Sequence, residues 1–389
     1  MKKKAYDPSR VIAPGATVGI LGGGQLGRML SLAGRHMGYR FVTLDPTPDS
    51  PTGQVAGQVV GAYDDATAAI ALARQADVIT YEFENVDAGV ADMLMKESYV
   101  PQGSELLHTT QHRLREKRAI EAAGVPVAPY AEIASEAALR EAVARFGLPC
   151  VLKTATGGYD GKGQWVIRSE AEISAAFESL SRAKTELVLE QFIRFEREIS
   201  VIAARSPRGE VRTFPVAENV HVDNILHLSI VPARCTQDVQ DRARELAVRI
   251  AEKLDVIGLI AVEMFLTSDG SLYVNELAPR PHNSGHYTME ACTTSQFEQH
   301  VRAVCNLPLG RTELLTPVVM VNVLGEHVEP LNQWLAAQTE EPDGLAVKVH
   351  LYGKSEAKVK RKMGHVNVLC ADVQQALTWI DSTGIWQRT

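Results

Sequence analysis

LIAVEMFLTSDGSLYVNELAPRP, residues 259–281, is the stretch whose reading decides the fold. Two apolar runs flank Asp269-Gly270, and an Asp-Gly pair between strands favours a two-residue type I′ hairpin. Counting outward from that pair sets Ser268 opposite Ser271, Phe265 opposite Val274 and Glu263 opposite Glu276. Carboxylates directly opposed on one sheet face repel. A divalent cation between them removes the conflict, and Mg²⁺ suits carboxylate oxygens shared with nucleotide phosphates. Asn275 is a further oxygen donor, although alternation turns it to the other face unless the strand end twists. An ordinary hairpin with two solvated glutamates stays open beside the metal site on these residues alone.

The surrounding chain of 389 residues is too long for one core and long enough for about two or three domains. Apolar residues make up 45% and charged residues 22%, as in ordinary globular proteins. A net charge of −7 speaks against a broad basic field for nucleic acid. Five cysteines without C-x-x-C spacing argue against a disulfide framework or a zinc site and fit a reducing cytoplasm. No long apolar run follows the basic start MKKKAYDPSR, so neither a signal peptide nor a membrane span is expected.

Upstream, residues 16–21, 40–44 and 78–83 read as strands that alternate with helices, the first reaching about 36, the others over 66–74 and 88–95. Asp64 is the expected cap of the second helix, and a short strand is expected from 99. Alternation of this kind predicts a parallel, doubly wound sheet over roughly 14–110. Gly22-x-Gly24-x-x-Gly27 after the first strand matches a dinucleotide fingerprint, with Asp45 near the position of a ribose acid. Such a turn presents backbone N–H groups at a helix start and suits any phosphate, which favours phosphate binding over an empty turn.

A second glycine loop, 154–163, joins predicted strands at 149–153 and 164–168. Four of its glycines fall within 157–163, Lys153 ends the incoming strand and Lys162 sits in the loop. No G-K-[ST] opens a helix, so it is not a P-loop. Its backbone can close onto phosphates, and the two lysines would neutralise a triphosphate. The unit at 125–192 reads as a small α+β lid. Long helices are expected over 237–254 and 288–305, and a tail of three strands and one helix over 317–389.

A basic glycine loop, a later acidic hairpin and a preceding α/β unit together resemble the ATP-grasp superfamily. Within it the chain is similar to the carboxyaminoimidazole ribonucleotide synthetases. The resemblance is carried nearly end to end by GGGQLGRM (22–29), TYEFENV (80–86), KTATGGYDGKGQW (153–165), EQFI (190–193), EREISV (196–201), NELAPRPHNSGH (275–286) and HLYGK…KRKMGH (350–365). It implies an α/β and α+β fold of three parts: a Rossmann-like domain at 1–110, an ATP-grasp domain at 111–307 and a small β-rich C-terminal domain at 308–389.

The resemblance also implies roles. Arg113 and Lys153 match nucleotide contacts, and Gly158, Tyr159, Asp160, Gly161, Lys162, Gly163 and Gln164 match the loop over the phosphates. Glu190, Gln191, Phe192 and Ile193 match the segment beside the adenine. Glu198 matches the ribose acceptor and His221 a further nucleotide contact. Glu263 and Glu276 match Mg²⁺ ligands (Mn²⁺ as a substitute), with Asn275 accessory. Gln25, Leu26 and Glu82 match contacts to the ribonucleotide, so the first glycine turn would hold substrate. Lys354, Arg361 and Lys362 match the grip on its 5′-phosphate. Arg280, His282 and Asn283 lie where carboxyphosphate would form, with Tyr159 and Asp160 in reach when the loop closes. Asp160 is the candidate proton acceptor and Arg280 the candidate oxyanion stabiliser. Pro281 and Gly285 keep His282 and His286 off one helix face, against a zinc reading.

The activity so implied is ATP-dependent carboxylation of aminoimidazole ribonucleotide by bicarbonate, through carboxyphosphate, in purine biosynthesis. The expected partners are these small molecules and a second copy of the chain, with no nucleic acid and no membrane. A formate-dependent glycinamide ribonucleotide enzyme of the same superfamily shares the turn, hairpin and basic tail. A nicotinamide-dependent dehydrogenase leaves the second loop and the Glu263/Glu276 pair unexplained. A non-catalytic nucleotide sensor predicts ATP binding without turnover.

Overall fold

The computed structural model describes residues 7–157, 162–183 and 185–387. Its first sheet consists of β1 (Thr17–Leu21), β2 (Arg40–Asp45), β3 (Gly57–Val60) and β4 (Val78–Tyr81), ordered β3-β2-β1-β4 and parallel throughout. β1 and β4 are almost wholly buried apolar runs, as strands covered by helices on both faces require. The doubly wound unit thus forms as the alternation predicts, with β3 as an unforeseen edge strand. Asp65 rather than Asp64 caps helix Ala66–Ala73, accepting from the N–H groups of Thr67 and Ala68. Tyr99 starts no strand, although its carbonyl accepts from Ile79 N–H at 2.9 Å.

A separate antiparallel sheet forms the lid: β5 (Tyr130–Ile133), β6 (Cys150–Thr154), β7 (Gln164–Ile167) and β8 (Leu187–Gln191), in the order β5-β8-β6-β7. Leu139, Leu152 and Leu189 centre its own core beneath helices Glu136–Phe146 and Ile173–Ser181.

The third sheet holds nine strands: β9 (Arg197–Arg205), β10 (Val211–Thr213), β11 (Ala217–Val222), β12 (Ile225–Val231), β13 (Gly258–Leu266), β14 (Leu272–Ala278), β15 (Val318–Leu324), β16 (Leu345–Leu351) and β17 (Lys362–Cys370). Their order is β14-β13-β9-β11-β12-β15-β17-β16, with β10 beside β9. The tail strands therefore extend the hairpin's own sheet, through the antiparallel pairing of β12 with β15. Helix Gln237–Lys253 covers one face of this sheet through Val239, Ala243, Ala247 and Ile250. Helix Gln296–Val304 ties the sheet to the first unit, packing Phe297 and Val301 with Leu30 and Phe41.

The helix expected over 288–305 is two. Thr288–Ala291 ends where Cys292 bridges Leu314, and Gln296–Val304 restarts with the Ser295 side chain accepting from Glu298 N–H. Helices Glu105–Thr110 and Val328–Ala337 were not expected; Pro330 lies in the first turn of the latter, where proline is tolerated.

The hairpin differs locally from the two-residue count. Thr267 N–H donates to Ser271 O at 3.0 Å, Gly270 N–H donates to Thr267 O at 2.9 Å, and Gly270 has φ +83°. These bonds enclose a three-residue loop with glycine at the left-handed position. Phe265 therefore faces Tyr273, not Val274. A bulge between Glu263 and Met264, with Asn275 as the extra residue on β14, restores the pairing of Glu263 with Glu276. Val274 and Leu277 point into one core while Asn275 and Glu276 between them stay outside it. The bulge, not a twisted strand end, puts Asn275 on the carboxylate face.

Candidate active site

The first glycine turn is filled by its own protein. Gly23 N–H donates to the Asp45 carboxylate at 2.9 Å. Gly24 N–H and Gly27 N–H donate to the two oxygens of Glu82, the latter at 2.5 Å. A methyl group on Gly24 would stand 2.6 Å from Glu82 Oε1, so glycine is needed for this approach. A buried carboxylate thus takes the helix-start donors that a pyrophosphate would use. In this structure the donors a phosphate would need are therefore taken by the chain itself. Burial raises Glu82 to about 7 against the pull of the two N–H groups. Gln25 opens the helix half-buried, whereas the Leu26 side chain lies in the core and offers substrate only its backbone.

Across the cleft, β13 and β14 hold Glu263 and Glu276 face to face. His282 Nε2 lies 3.0 Å from Glu263, and Arg113 lies 3.7 Å from Glu276. For Glu263, burial favours protonation, but His282, with His221 and Arg280 behind it, outweighs this and holds the carboxyl low. Burial and the Glu263 charge opposite push Glu276 up, against Arg113 and Lys153. This like-charge conflict is the kind a dication relieves. Beside the pair, His221 on β11 is ion-paired with Glu198 on β9. Burial disfavours a charged His221, and the bond to Glu198 raises it nonetheless.

Arg280 and His282 follow β14 on a turn braced from below. The Ser284 and Ser200 hydroxyls lie 2.9 Å apart, Asn219 donates to Ser200, and Ser229 donates to Asn219. Arg280 is paired two-pronged with Glu84 of the first unit. Burial favours protonating Glu84, but this guanidinium holds it at about 2. Asn283, half-buried, starts the next short turn.

On the lid, Lys153 Nζ donates to Glu190 at 2.9 Å. Glu190 and Gln191 lie on β8, paired on both sides, so only Phe192 and Ile193 of the expected adenine segment extend past the strand. Gln164 starts β7, next to Gly163. Gly158, Tyr159, Asp160 and Gly161 lie outside the described residues. On the tail, Lys354 Nζ donates to Lys362 O at 2.6 Å, and Arg361 donates to Glu356 O at 2.9 Å. Burial and the neighbouring Arg361 lower Lys354 to about 8, against the pull of Glu82. Gln54 donates to Gly353 O at 2.8 Å, which docks this basic corner on the first unit near the glycine turn.

Three family descriptions cover the chain: a ribonucleotide synthetase preATP-grasp domain (15–111), an ATP-grasp domain (118–297) and a phosphoribosylaminoimidazole carboxylase C-terminal domain (318–378). An N5-carboxyaminoimidazole ribonucleotide synthase of Bacillus subtilis (strain 168) is 51% identical over 362 residues, 92% of this chain and 93% of its own length. The chain belongs to the N5-carboxyaminoimidazole ribonucleotide synthase family. As a member it is an ATP-grasp, ATP-dependent ligase that carboxylates aminoimidazole ribonucleotide in purine biosynthesis. An N5-carboxyaminoimidazole ribonucleotide synthetase solved with ADP superposes at a TM-score of 0.93 with 55% identity, over 97% of this chain and 98% of the other. The Aspergillus clavatus synthase, solved with ADP and aminoimidazole ribonucleotide, superposes at 0.86 with 33% identity, over 95% and 97%.

Three charged residues beside these groups escape a reading by motif. Glu84 lies inside the run 80–86, yet nothing in sequence pairs it with Arg280. Glu116 accepts from Leu277 N–H at 2.8 Å beside Glu276, and Lys117 lies 3.4 Å from Glu190. Their signal is spacing: residues 113, 116 and 117 share one helix face.

Proposed function

We propose that the carboxyl donor is bicarbonate, activated as carboxyphosphate in the cleft between the hairpin and the first unit. The observation that carries this reading is the facing pair Glu263 and Glu276, with Arg280 and His282 on the chain leaving β14. Two carboxylates and the Asn275 amide on one face fit Mg²⁺, which fills its other positions with phosphate oxygens and water. Glu263, Glu276 and Asn275 would hold it. When bound, it supplies charge neutralisation at the transferring phosphoryl group.

Every other part is supplied by the chain. Lys153 and Arg113 bind the nucleotide phosphates, Phe192 and Ile193 border the base, and Glu198 with His221 takes the ribose. Glycine-loop residues 158–164 cover the phosphates and exclude water from a short-lived intermediate. Arg280, oriented by Glu84, stabilises the carbonate oxyanion, and Asp160 takes the proton from the amine. Gln25, the Leu26 backbone, Glu82, His282 and Asn283 position the ribonucleotide, and Lys354, Arg361 and Lys362 hold its 5′-phosphate. Segments 1–110, 111–307 and 308–389 then serve as substrate cradle, ATP clamp and phosphate grip. Catalysis here is positioning and electrostatics.

We further propose a homodimer working in the cytoplasm. Five cysteines, none in a disulfide, support a reducing compartment. Among the described residues no helix is long and apolar enough to cross a membrane. Light scattering of the purified chain reads the oligomer directly.

The deciding experiment measures phosphate release from Mg-ATP and bicarbonate, with and without aminoimidazole ribonucleotide. Strong stimulation by the ribonucleotide is expected. Turnover only with formate and glycinamide ribonucleotide would move the chain to the formate-using branch.

A further inference from the structure

Glu190 on β8 carries two lysines on one carboxylate. Lys153 Nζ lies 2.9 Å from Oε2, and Lys117 Nζ lies 3.4 Å from Oε1. All three are sequestered, with 5% of the Glu190 side chain, 11% of Lys153 and 1% of Lys117 exposed. One lysine is enough to neutralise one carboxylate, and burying a second cation there is unfavourable by itself. Among the described residues Glu190 is the one ion-pair partner of Lys117, whose other cation contact is the Tyr130 ring at 5.9 Å.

The two lysines come from different elements. Lys153 and Glu190 stand on adjacent lid strands, β6 and β8. Lys117 rises from helix Arg113–Ala122, whose Glu116 is bonded to β14 and whose first residue faces Glu276. Lys117 thus stands on a helix bonded to β14 and also to the lid, through Arg113 N–H to Ala155 O and Tyr130 to Glu121, whereas Lys153 stands within the lid sheet itself.

A nucleotide phosphate in this cleft draws Lys153 away from Glu190. Breaking a buried ion pair by removing one partner is strongly destabilising, because a bare charge stays behind. With Lys117 on the other oxygen, the carboxylate stays compensated. Its positive charge also repels Lys153, in the direction of release.

We propose that Lys117 is a positioning residue of the nucleotide site: it keeps Glu190 compensated while Lys153 is on the phosphates, and so sets nucleotide affinity without touching nucleotide. The inference rests on the assignment of Lys153 to the nucleotide made above.

Calorimetric titration of the full chain with Mg-ADP tests it. K117M is expected to weaken binding by about tenfold or more, a loss of about 1.4 kcal/mol. The melting temperature of ligand-free K117M is expected within about 2 °C of the parent, because Lys153 still neutralises Glu190. K117R, which keeps the charge, is expected to stay within about threefold. In an E190Q background the K117M change is expected to shrink below about threefold, since the charge that Lys117 serves is gone.

Unaltered ADP affinity in K117M overturns the proposal. An equal loss with and without Glu190 also overturns it, by showing that Lys117 acts elsewhere. Should K117M not fold, a loss of affinity in K117R would count against the proposal in the same way. K153M separates the two levels: parental affinity there removes both the assignment of Lys153 and this inference, whereas weak binding in K153M beside normal binding in K117M removes the inference alone.

Discussion

The glycine turn at 22–27 and the hairpin from Gly258 to Ala278 each gather two carboxylates, and they use them in opposite ways. In the turn, Asp45 and Glu82 are taken up by backbone N–H groups of Gly23, Gly24 and Gly27. In the hairpin, Glu263 and Glu276 face each other across a ladder whose N–H groups are taken by neighbouring strands, by Pro126 O and by Glu116, so their oxygens turn to His282 and Arg113. The first arrangement is self-satisfied and builds structure. The second leaves a like-charge contact of the kind a dication would relieve. A motif reports the backbone shape, and the acids left unsatisfied by that shape report the chemistry.

The largest effect separating the two regions should come from the hairpin. Glu276→Gln is expected to cut turnover by about 10²–10³-fold or more, while the melting temperature holds or rises as the like-charge contact disappears. Normal phosphate release in this variant would end the metal assignment. At the turn, a stability cost should accompany any loss of ribonucleotide binding. Glu82→Gln replaces one acceptor by a donor facing an N–H group and is expected to cost about 2 kcal/mol, read by chemical denaturation. An unchanged unfolding midpoint would show that the turn does not depend on Glu82.

A smaller effect concerns the bulge. Asn275→Ala is expected to lower turnover about tenfold at limiting Mg²⁺ and much less at saturating Mg²⁺, as loss of one oxygen ligand should. Equal loss at all Mg²⁺ concentrations would assign Asn275 a role other than metal binding.

The smallest is a pH effect at Glu116. Burial, and then the Glu276 charge, raises it from 4.5 to about 8, against the bond from Leu277 N–H. A carboxyl raised by folding binds its proton more tightly in the native state. Its contribution is therefore full below the unfolded pKa and is lost as pH climbs through about 8. Glu116→Gln, neutral at every pH, is expected to gain roughly 2–3 kcal/mol on the parent between pH 6 and pH 9. A constant difference across that range would contradict the shift.

Much of this was legible from sequence, though not always for the right reason. The pairing of Glu263 with Glu276 follows from counting a two-residue turn. The chain instead uses a three-residue turn and then a one-residue bulge, and the two offsets cancel. Turn length is a local choice around Gly270, whereas the bulge answers a long-range need to bring Asn275 and Glu276 to one face. Helix Val328–Ala337 was hidden because Pro330 reads as a breaker unless the helix start is known. The taking up of the turn donors by Glu82 and the grip of Glu84 on Arg280 depend on contacts 55 to 196 residues apart along the chain. No periodicity carries such information.

The join between β12 and β15 has a consequence for how the chain stays dispersed. Val318–Val321 pairs with Leu228–Val231, and so closes what would otherwise be the raw flank of a strongly apolar strand. A chain ended near residue 307 would bare that flank's unpaired amides and carbonyls, a template on which further copies can add. The tail is thus also the seal that keeps the central sheet from growing from one molecule into the next.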